Sequence, residues 1–232
     1  MDSGFLLINK PQDWTSHDIV GYIRGVVRRA TGQKKIRVGH AGTLDPFATG
    51  LLIVGVGREA TRRIDEFKNM PKEYIATIRL GATSDTYDRT GIIIDQEPIA
   101  SDEVSESEVC EVLKSFVGSQ LQVPPMYSAK KVNGKKLYEL ARKGIEIERK
   151  PSEIEIYSLE LLEFNDLLIK FKCKVSTGTY IRSLAHDIGQ ALHSGAYCEE
   201  LERTKIGKYT LENAVGPKEI RVENFEALLF DI

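Results

Sequence analysis

The stretch Gly39 to Gly50, GHAGTLDPFATG, presents one carboxylate, Asp45, from a run built of turn-forming residues. Gly39, Gly42 and Gly50 supply positive-φ freedom and Pro46 a fixed φ, which is turn chemistry rather than helix or strand chemistry. The apolar run Leu51 to Val56 follows at once and fits a buried strand, so the loop is expected to sit on a rigid platform of the kind that carries sites. Local sequence also permits a plainer reading, in which Asp45-Pro46 merely starts a turn. A second stretch, Val123 to Gly144, interleaves Lys130, Lys131, Lys135, Lys136, Arg142 and Lys143 with Tyr127 and Tyr138. Cations beside rings suit phosphate contact with base stacking, although a charge run is also compatible with a solvated loop.

The elements that must position these groups are legible in the patterning. Gly4 to Lys10 reads as an apolar strand stopped by Pro11. Thr15 and Asp18 fit a capping box ahead of a helix whose apolar face is Ile19, Ile23, Val26, Val27 and Ala30, with Arg24 and Arg28 off that face and Gly32 closing it. Gly55-Val56-Gly57-Arg58-Glu59-Ala60 matches a dinucleotide fingerprint, but no acid ends a second strand downstream and the helix Glu59 to Phe67 is short for a crossover. Those glycines are better read as allowing a tight turn beneath a sheet. Tyr74 to Leu80 alternates as a strand, residues 81 to 91 read as a polar loop, and Ile92 to Ile94 resume a short strand. Ser105 and Glu108 cap a helix expected to end at Gly118. Ser152 to Phe164 and Leu167 to Val175 read as a hairpin turning at Asn165-Asp166, and Ser176 to Arg182 opens a helix to about Leu192. Strands and helices mix without regular βαβ alternation, which points to α+β with a largely antiparallel sheet.

Composition narrows the class. The net charge of -2 argues weakly against nucleic acid, but the charge is unevenly distributed: residues 1 to 63 hold ten Lys or Arg against five Asp or Glu, and residues 130 to 150 hold eight against three. Such a chain can attract phosphate on one face. Cys110, Cys173 and Cys198 show no CxxC, and His17, His40, His186 and His193 show no pair at metal spacing, so reduced thiols and no metal are expected. Neither a membrane-length apolar run nor a signal-peptide pattern occurs, making the cytoplasm the expected location.

In order along nearly the whole chain, these stretches resemble the TruB family of tRNA pseudouridine synthases. The resemblance rests on INKP (Ile8 to Pro11), GHxGxLDPxAxG (Gly39 to Gly50), KxYxxxxxLG (Lys72 to Gly81), PPMYSAxK with GxxLYxxAR (Pro124 to Arg142), GTYIRSL (Gly178 to Leu184), and the segment around Leu201 with Arg203-Thr204 and Gly207. It implies the pseudouridine synthase fold: α+β, a mixed, mainly antiparallel central sheet flanked by helices and loops, as a single catalytic domain over 1–232 with an RNA-gripping insertion at about 123–144. It further implies isomerisation of a uridine in the T-loop of tRNA, at position 55, on a flipped-out base. Asp45 would be the nucleophile, Arg182 would hold it ionised and oriented, and Tyr74 would stack on the uracil and serve in proton transfer. His40 would stabilise the RNA after extrusion of the base, Tyr180 and Leu201 would line the uracil pocket, and Lys10 and Lys131 would contact the substrate, Lys10 near the nucleotide's phosphate.

The chemistry needs no redox step and no group carrier, so no cofactor is expected. Many relatives continue into a C-terminal PUA domain, for which the residues after Tyr209 are too few. GHAG before TLDP favours the stand-alone bacterial type, a monomer without guide RNA or obligate protein partner. Two readings from other classes stay open: an RNA-binding module without catalysis, and a nucleotide-dependent oxidoreductase using the Gly55 fingerprint. If the two basic zones hold RNA, affinity measured by filter binding falls steeply with added salt, and a salt-independent affinity would remove this account of binding.

Overall fold

The computed structural model describes residues 3–96, 104–132 and 134–231. In chain order it forms β1 (Gly4–Lys10), α1 (Ser16–Thr31), β2 (Val38–His40), β3 (Thr49–Val56), α2 (Gly57–Lys68) and β4 (Lys72–Leu80). These are followed by β5 (Ala82–Ser84), β6 (Ile93–Asp95), α3 (Glu106–Ser115), β7 (Gly118–Gln122), β8 (Lys131–Val132), β9 (Lys135–Lys136) and α4 (Leu137–Ala141). Last come β10 (Ser152–Asn165), β11 (Leu168–Val175), α5 (Ile181–Ala191), β12 (Ala196–Ile206) and β13 (Tyr209–Thr210). Two compact units divide the chain, residues 1–74 with 201–232, and residues 75–200. The class is α+β with mostly antiparallel pairing, as the patterning indicates.

In the first unit β3 is the central strand. β1 pairs with it antiparallel from Gly4 opposite Val56 to Lys10 opposite Gly50. On its other edge β2 pairs antiparallel with the far end, and β12 pairs parallel with the near end, Arg203 standing beside Gly50. Both faces are covered, which is why Leu51 to Val56 is apolar without alternation. Leu52, Val54 and Val56, with Leu6 and Ile8, pack under Ile19, Ile23, Val26 and Val27 of α1. Leu51 and Ile53, with Phe5, pack under Ala60, Ile64 and Phe67 of α2.

The local signals explain the helix boundaries. Thr15 Oγ1 accepts from Asp18 N at 3.0 Å while Thr15 N donates to Asp18 Oδ2 at 2.8 Å, completing the capping box of α1. Gly32 ends the helix in the left-handed region, φ 68°. Gly55 of the apparent fingerprint serves packing, since a Cβ there would lie 3.3 Å from Ala60 C and Ile64 Cγ1 and its absence lets α2 settle on β3, while Gly57 takes φ 87° where α2 begins.

In the second unit β10 pairs antiparallel with β11 on one edge and β7 on the other, and two register shifts interrupt the β10–β11 ladder. The hairpin turns through Asp166, at φ 50°. Two expectations are corrected here, and one strand is added. Helix α3 ends at Ser115 with Phe116 as its cap, and Gly118, at φ 111°, instead opens β7. The polar stretch 81–91 contains β5, paired with β6. Residues 196–206 form a strand, β12, whose Glu199, Glu200, Glu202, Arg203 and Thr204 gave no apolar alternation to read.

Gly50 is the most closely confined glycine of the first unit. It sits at φ 101°, and a Cβ there would come within 2.7 Å of Arg203 N. Gly50→Ala is expected to destabilise the protein by at least about 2 kcal/mol in urea unfolding, from strain and a backbone clash together. Gly32→Ala, with open space around it, is expected to cost only about 1 kcal/mol; equal costs at the two sites would contradict this.

Candidate active site

Residues 41–48 link β2 to β3, and their backbone is tied down at almost every turn. Ala41 N donates to Ile53 O at 2.9 Å. Leu44 exchanges two hydrogen bonds with the buried Ser16 hydroxyl, its N–H donating to Oγ at 2.9 Å and its carbonyl accepting at 3.1 Å. The Pro46 carbonyl accepts from Asp13 N at 2.9 Å and from Lys10 Nζ at 3.2 Å. Arg203, fully buried on β12, donates from Nη2 to Gly42 O at 3.0 Å and from Nε to Leu51 O at 2.8 Å. Ala41, Leu44, Phe47 and Ala48 are buried while Asp45 is half-buried. The loop therefore anchors itself with apolar side chains and leaves one carboxylate reachable.

Lys10 is completely buried, and its ammonium donates to Pro11 O (2.9 Å), Trp14 O (2.7 Å) and Pro46 O (3.2 Å). Three donors on three carbonyls match the donor capacity of an ammonium. Burial lowers its pKa to about 8, against the opposing pull of Asp45 and Asp13. The structure thus places Lys10 beneath the Asp45 loop, holding the carbonyl of the next residue.

His40 ends β2, opposite Val54. Its Nδ1 is buried and has no hydrogen-bond partner among the described residues. Burial, then the charges of Arg203, His17 and Lys68, lowers its pKa to about 4, so the imidazole is neutral at physiological pH. Tyr74, on β4, and Leu201, on β12, are both buried strand residues of the same unit.

In the second unit, Tyr180 and Arg182 begin α5. Gln122 fixes that start by accepting from Tyr180 N at 2.8 Å and donating to Tyr180 O at 3.0 Å, and the Tyr180 side chain is half-buried. The buried Arg182 guanidinium donates to Thr86 O and Tyr127 O, both at 2.7 Å, and lies 3.4 Å from Asp88 Oδ2. Asp88 is buried as well, and its Oδ1 accepts from Thr86 Oγ1 (2.9 Å), Thr90 N (2.9 Å) and Thr90 Oγ1 (2.6 Å). One carboxylate oxygen therefore shapes the loop and the other meets the arginine. Lys131 lies on β8, but its side chain falls outside the described residues.

Sequence reasoning missed Asp88 and Arg203 as members of these networks. Asp88-Arg89-Thr90 carried a usable signal, since Asp with a hydroxyl residue two on is Asx-turn chemistry. Arg203 stood in a matched motif but carried no sign of its partners, because Gly42 and Leu51 are far away in sequence. Conversely, the nearness of His40, at the end of β2, to Asp45, on the connection that follows, and of Tyr180 to Arg182 at one helix start, follows the spacing directly.

The His40 shift has a consequence for stability. Between pH 6.5 and about 4 the unfolded chain holds an imidazole proton that the folded chain excludes. The contribution is therefore whole above pH 6.5 and is lost as pH falls through this window. Wild type is expected to lose up to about 3 kcal/mol more than His40→Gln on acidification across it, read by urea midpoints. Parallel pH profiles for the two proteins would contradict the shift.

Residues 28–181 match the family model described as TruB family pseudouridylate synthase (N terminal domain). The chain is 52% identical over 215 residues to tRNA pseudouridine synthase B of Parabacteroides distasonis, covering 93% of this chain and 90% of that protein. It is 44% identical over 227 residues to the protein of that name in Clostridium tetani, covering 98% and 75%. Among solved structures it is similar to a chain of a Cbf5-Nop10-Gar1 complex, with 30% identity, TM-score 0.68, and 96% and 54% of the two chains covered. It is also similar to a chain of an H/ACA RNP bound to a substrate RNA containing 2'-deoxyuridine, with 27% identity, TM-score 0.66, and 96% and 53% covered. This chain spans about half the length of those two solved chains. With a family model matched along most of its length and relatives matched nearly end to end, the chain belongs to the TruB family of pseudouridylate synthases.

Proposed function

We propose that the protein isomerises a uridine in the T-loop of tRNA to pseudouridine, with Asp45 as the nucleophile. The observation that carries this reading is the half-buried Asp45 carboxylate on a loop clamped at Gly42, Leu44 and Pro46. A reacting carboxylate must be held beside the sugar carbon through bond breaking and rejoining, and a loop fixed by its own backbone holds it without reorganisation. In the reaction the bond from the sugar C1′ to uracil N1 breaks and a bond from C1′ to C5 forms. The C5 hydrogen is lost as a proton and N1 gains one, so nothing is oxidised or reduced. No cofactor enters this balance.

Each remaining residue takes a role suited to its surroundings. Arg182, the partner of Asp45 in the family resemblance, has a guanidinium already oriented by Thr86, Tyr127 and Asp88. A fork held this firmly presents charge in a fixed direction, which a flexible lysine would not do. Tyr74 stacks on the uracil, Tyr180 and Leu201 line its pocket, and neutral His40 occupies the space left by the extruded base. Lys10 acts through the Pro46 carbonyl as a clamp on the nucleophile's loop, and Lys131 with the 123–144 insertion holds the RNA backbone. The protein works in the cytoplasm as a monomer on tRNA, without guide RNA or an obligate protein partner. No helix among the described residues is long and apolar enough to cross a membrane.

Purified protein incubated with an unmodified tRNA transcript under single-turnover conditions is expected to give pseudouridine, scored by chemical mapping. Asp45→Asn is expected to lower the rate by at least about a thousandfold with tRNA binding retained. Absence of product from the wild type would overturn the reaction. Full activity of Asp45→Asn would remove Asp45 as nucleophile.

A further inference from the structure

Within the second unit, α5 holds the loop between β5 and β6 at two places. Arg182 donates to Thr86 O and meets the Asp88 carboxylate. His186 follows Arg182 by four residues, so the two side chains lie a turn apart on one face of the helix. Its imidazole stacks on the Tyr87 ring, with centroids 4.3 Å apart and planes 12° from parallel. One helix face therefore meets three successive residues: Thr86 at its carbonyl, Tyr87 at its ring and Asp88 at its carboxylate.

Tyr87 is the residue of the three that needs holding. Its φ of 62° lies in the left-handed region, which a bulky side chain disfavours. That angle is the rotation joining the Thr86–Tyr87 peptide plane to the Tyr87 Cα, so it sets the Thr86 carbonyl relative to the chain leading to Asp88. If φ relaxed to a negative value, the carbonyl and the carboxylate would no longer converge on one guanidinium. Backbone bonds support the loop from its other side. Tyr87 N donates to Ser84 O at 3.0 Å, and Cys198 of β12 donates to Tyr87 O at 2.9 Å and accepts from Arg89 N at 3.1 Å. Among the described residues His186 supplies the one ring that Tyr87 meets. Burial lowers the His186 pKa, and Nδ1 is buried without a hydrogen-bond partner among the described residues. A neutral flat ring fills this place without adding a second positive charge one turn from Arg182.

We infer that Tyr87 and His186 form a positioning pair for Arg182: the stack keeps Tyr87 left-handed, which fixes the Thr86 carbonyl and the Asp88 carboxylate that aim the guanidinium. The inference rests on the proposed role of Arg182 and adds what aims it. Both rings act through Arg182 and not by touching the uridine.

The test is pseudouridine formation on an unmodified tRNA transcript with enzyme in excess, run well below each variant's melting midpoint. His186→Ala is expected to lower the rate at saturation about thirtyfold, with the half-saturating enzyme concentration changed by less than about threefold. His186→Phe restores a flat ring without ring nitrogens and is expected to come within about threefold of wild type. The double variant Tyr87→Ala/His186→Ala should be no slower than the slower of its two single variants, because each removes the same contact. A merely structural stack would lower the melting midpoint and leave the rate of the folded enzyme unchanged. Should His186→Ala lose its melting transition, His186→Leu, which fills the space without a flat ring, takes its place in the comparison with His186→Phe. Full rate in the ringless variant, or a loss that His186→Phe does not repair, would overturn the inference. Arg182→Lys separates it from the reading on which it rests. A slow Arg182→Lys beside a full-rate His186→Ala removes the stack alone. A full-rate Arg182→Lys, or no product from the wild type, removes the role of Arg182 and the stack with it.

Discussion

Two buried cations hold the loop that presents Asp45. Arg203 grips the carbonyls of Gly42, near the start of the connection, and Leu51, inside β3, and Lys10 grips the carbonyl of Pro46 between them. Burying a charge is costly unless its donors are satisfied, and hydrogen bonds from charged donors contribute about 1.5 to 3 kcal/mol each. The consequence is mutual: each cation is tolerated because the loop offers carbonyls, and the loop keeps its shape because the cations need them. Gly50, at φ 101° against the Arg203 backbone, and Gly42, at φ 111°, are where this arrangement leaves no room for a side chain or no ordinary backbone conformation.

The second unit repeats the principle with different parts. Arg182 bonds two carbonyls and a buried carboxylate, and that carboxylate uses its other oxygen to shape the loop from Thr86 to Thr90. Tyr87 in this loop adopts φ 62°, uncommon for a residue with a ring, and stacks on His186 at 4.3 Å and 12°. A strained backbone of this kind persists only when its surroundings over-determine it. In both units, then, an arginine is fixed by main-chain oxygens rather than left to choose among surface partners. That is the condition for a preorganised charge.

Much of the frame was legible because its causes are local. The capping box of α1, its apolar face, its glycine stop and the hairpin at Asp166 follow from residues within a few positions of one another. The composition of the 39–50 stretch marked a constrained loop for the same reason, and the family order of six motifs singled out Asp45 from within it. The fingerprint at Gly55 shows the limit of pattern alone. Its spacing fits phosphate binding, whereas Gly55 is explained by the contact of α2 with β3 and Gly57 by its φ of 87°.

By itself the sequence determined the helices and strands whose periodicity faces one core, the loop that offers a carboxylate, and the family to which the chain belongs. Only the tertiary structure decided what Lys10, Arg203, Asp88 and Gly118 do. Lys10 reads as the end of a strand and, by the resemblance, as a phosphate contact, until Pro46 is brought over it. Arg203 reads as one charge in a polar run until β12 lies along β3. The deciding contacts are remote in sequence for Lys10 (Pro46), Arg203 (Gly42 and Leu51) and Asp88 (Arg182), and Gly118's place comes from strand pairing; none of these leaves a trace in the spacing of neighbours.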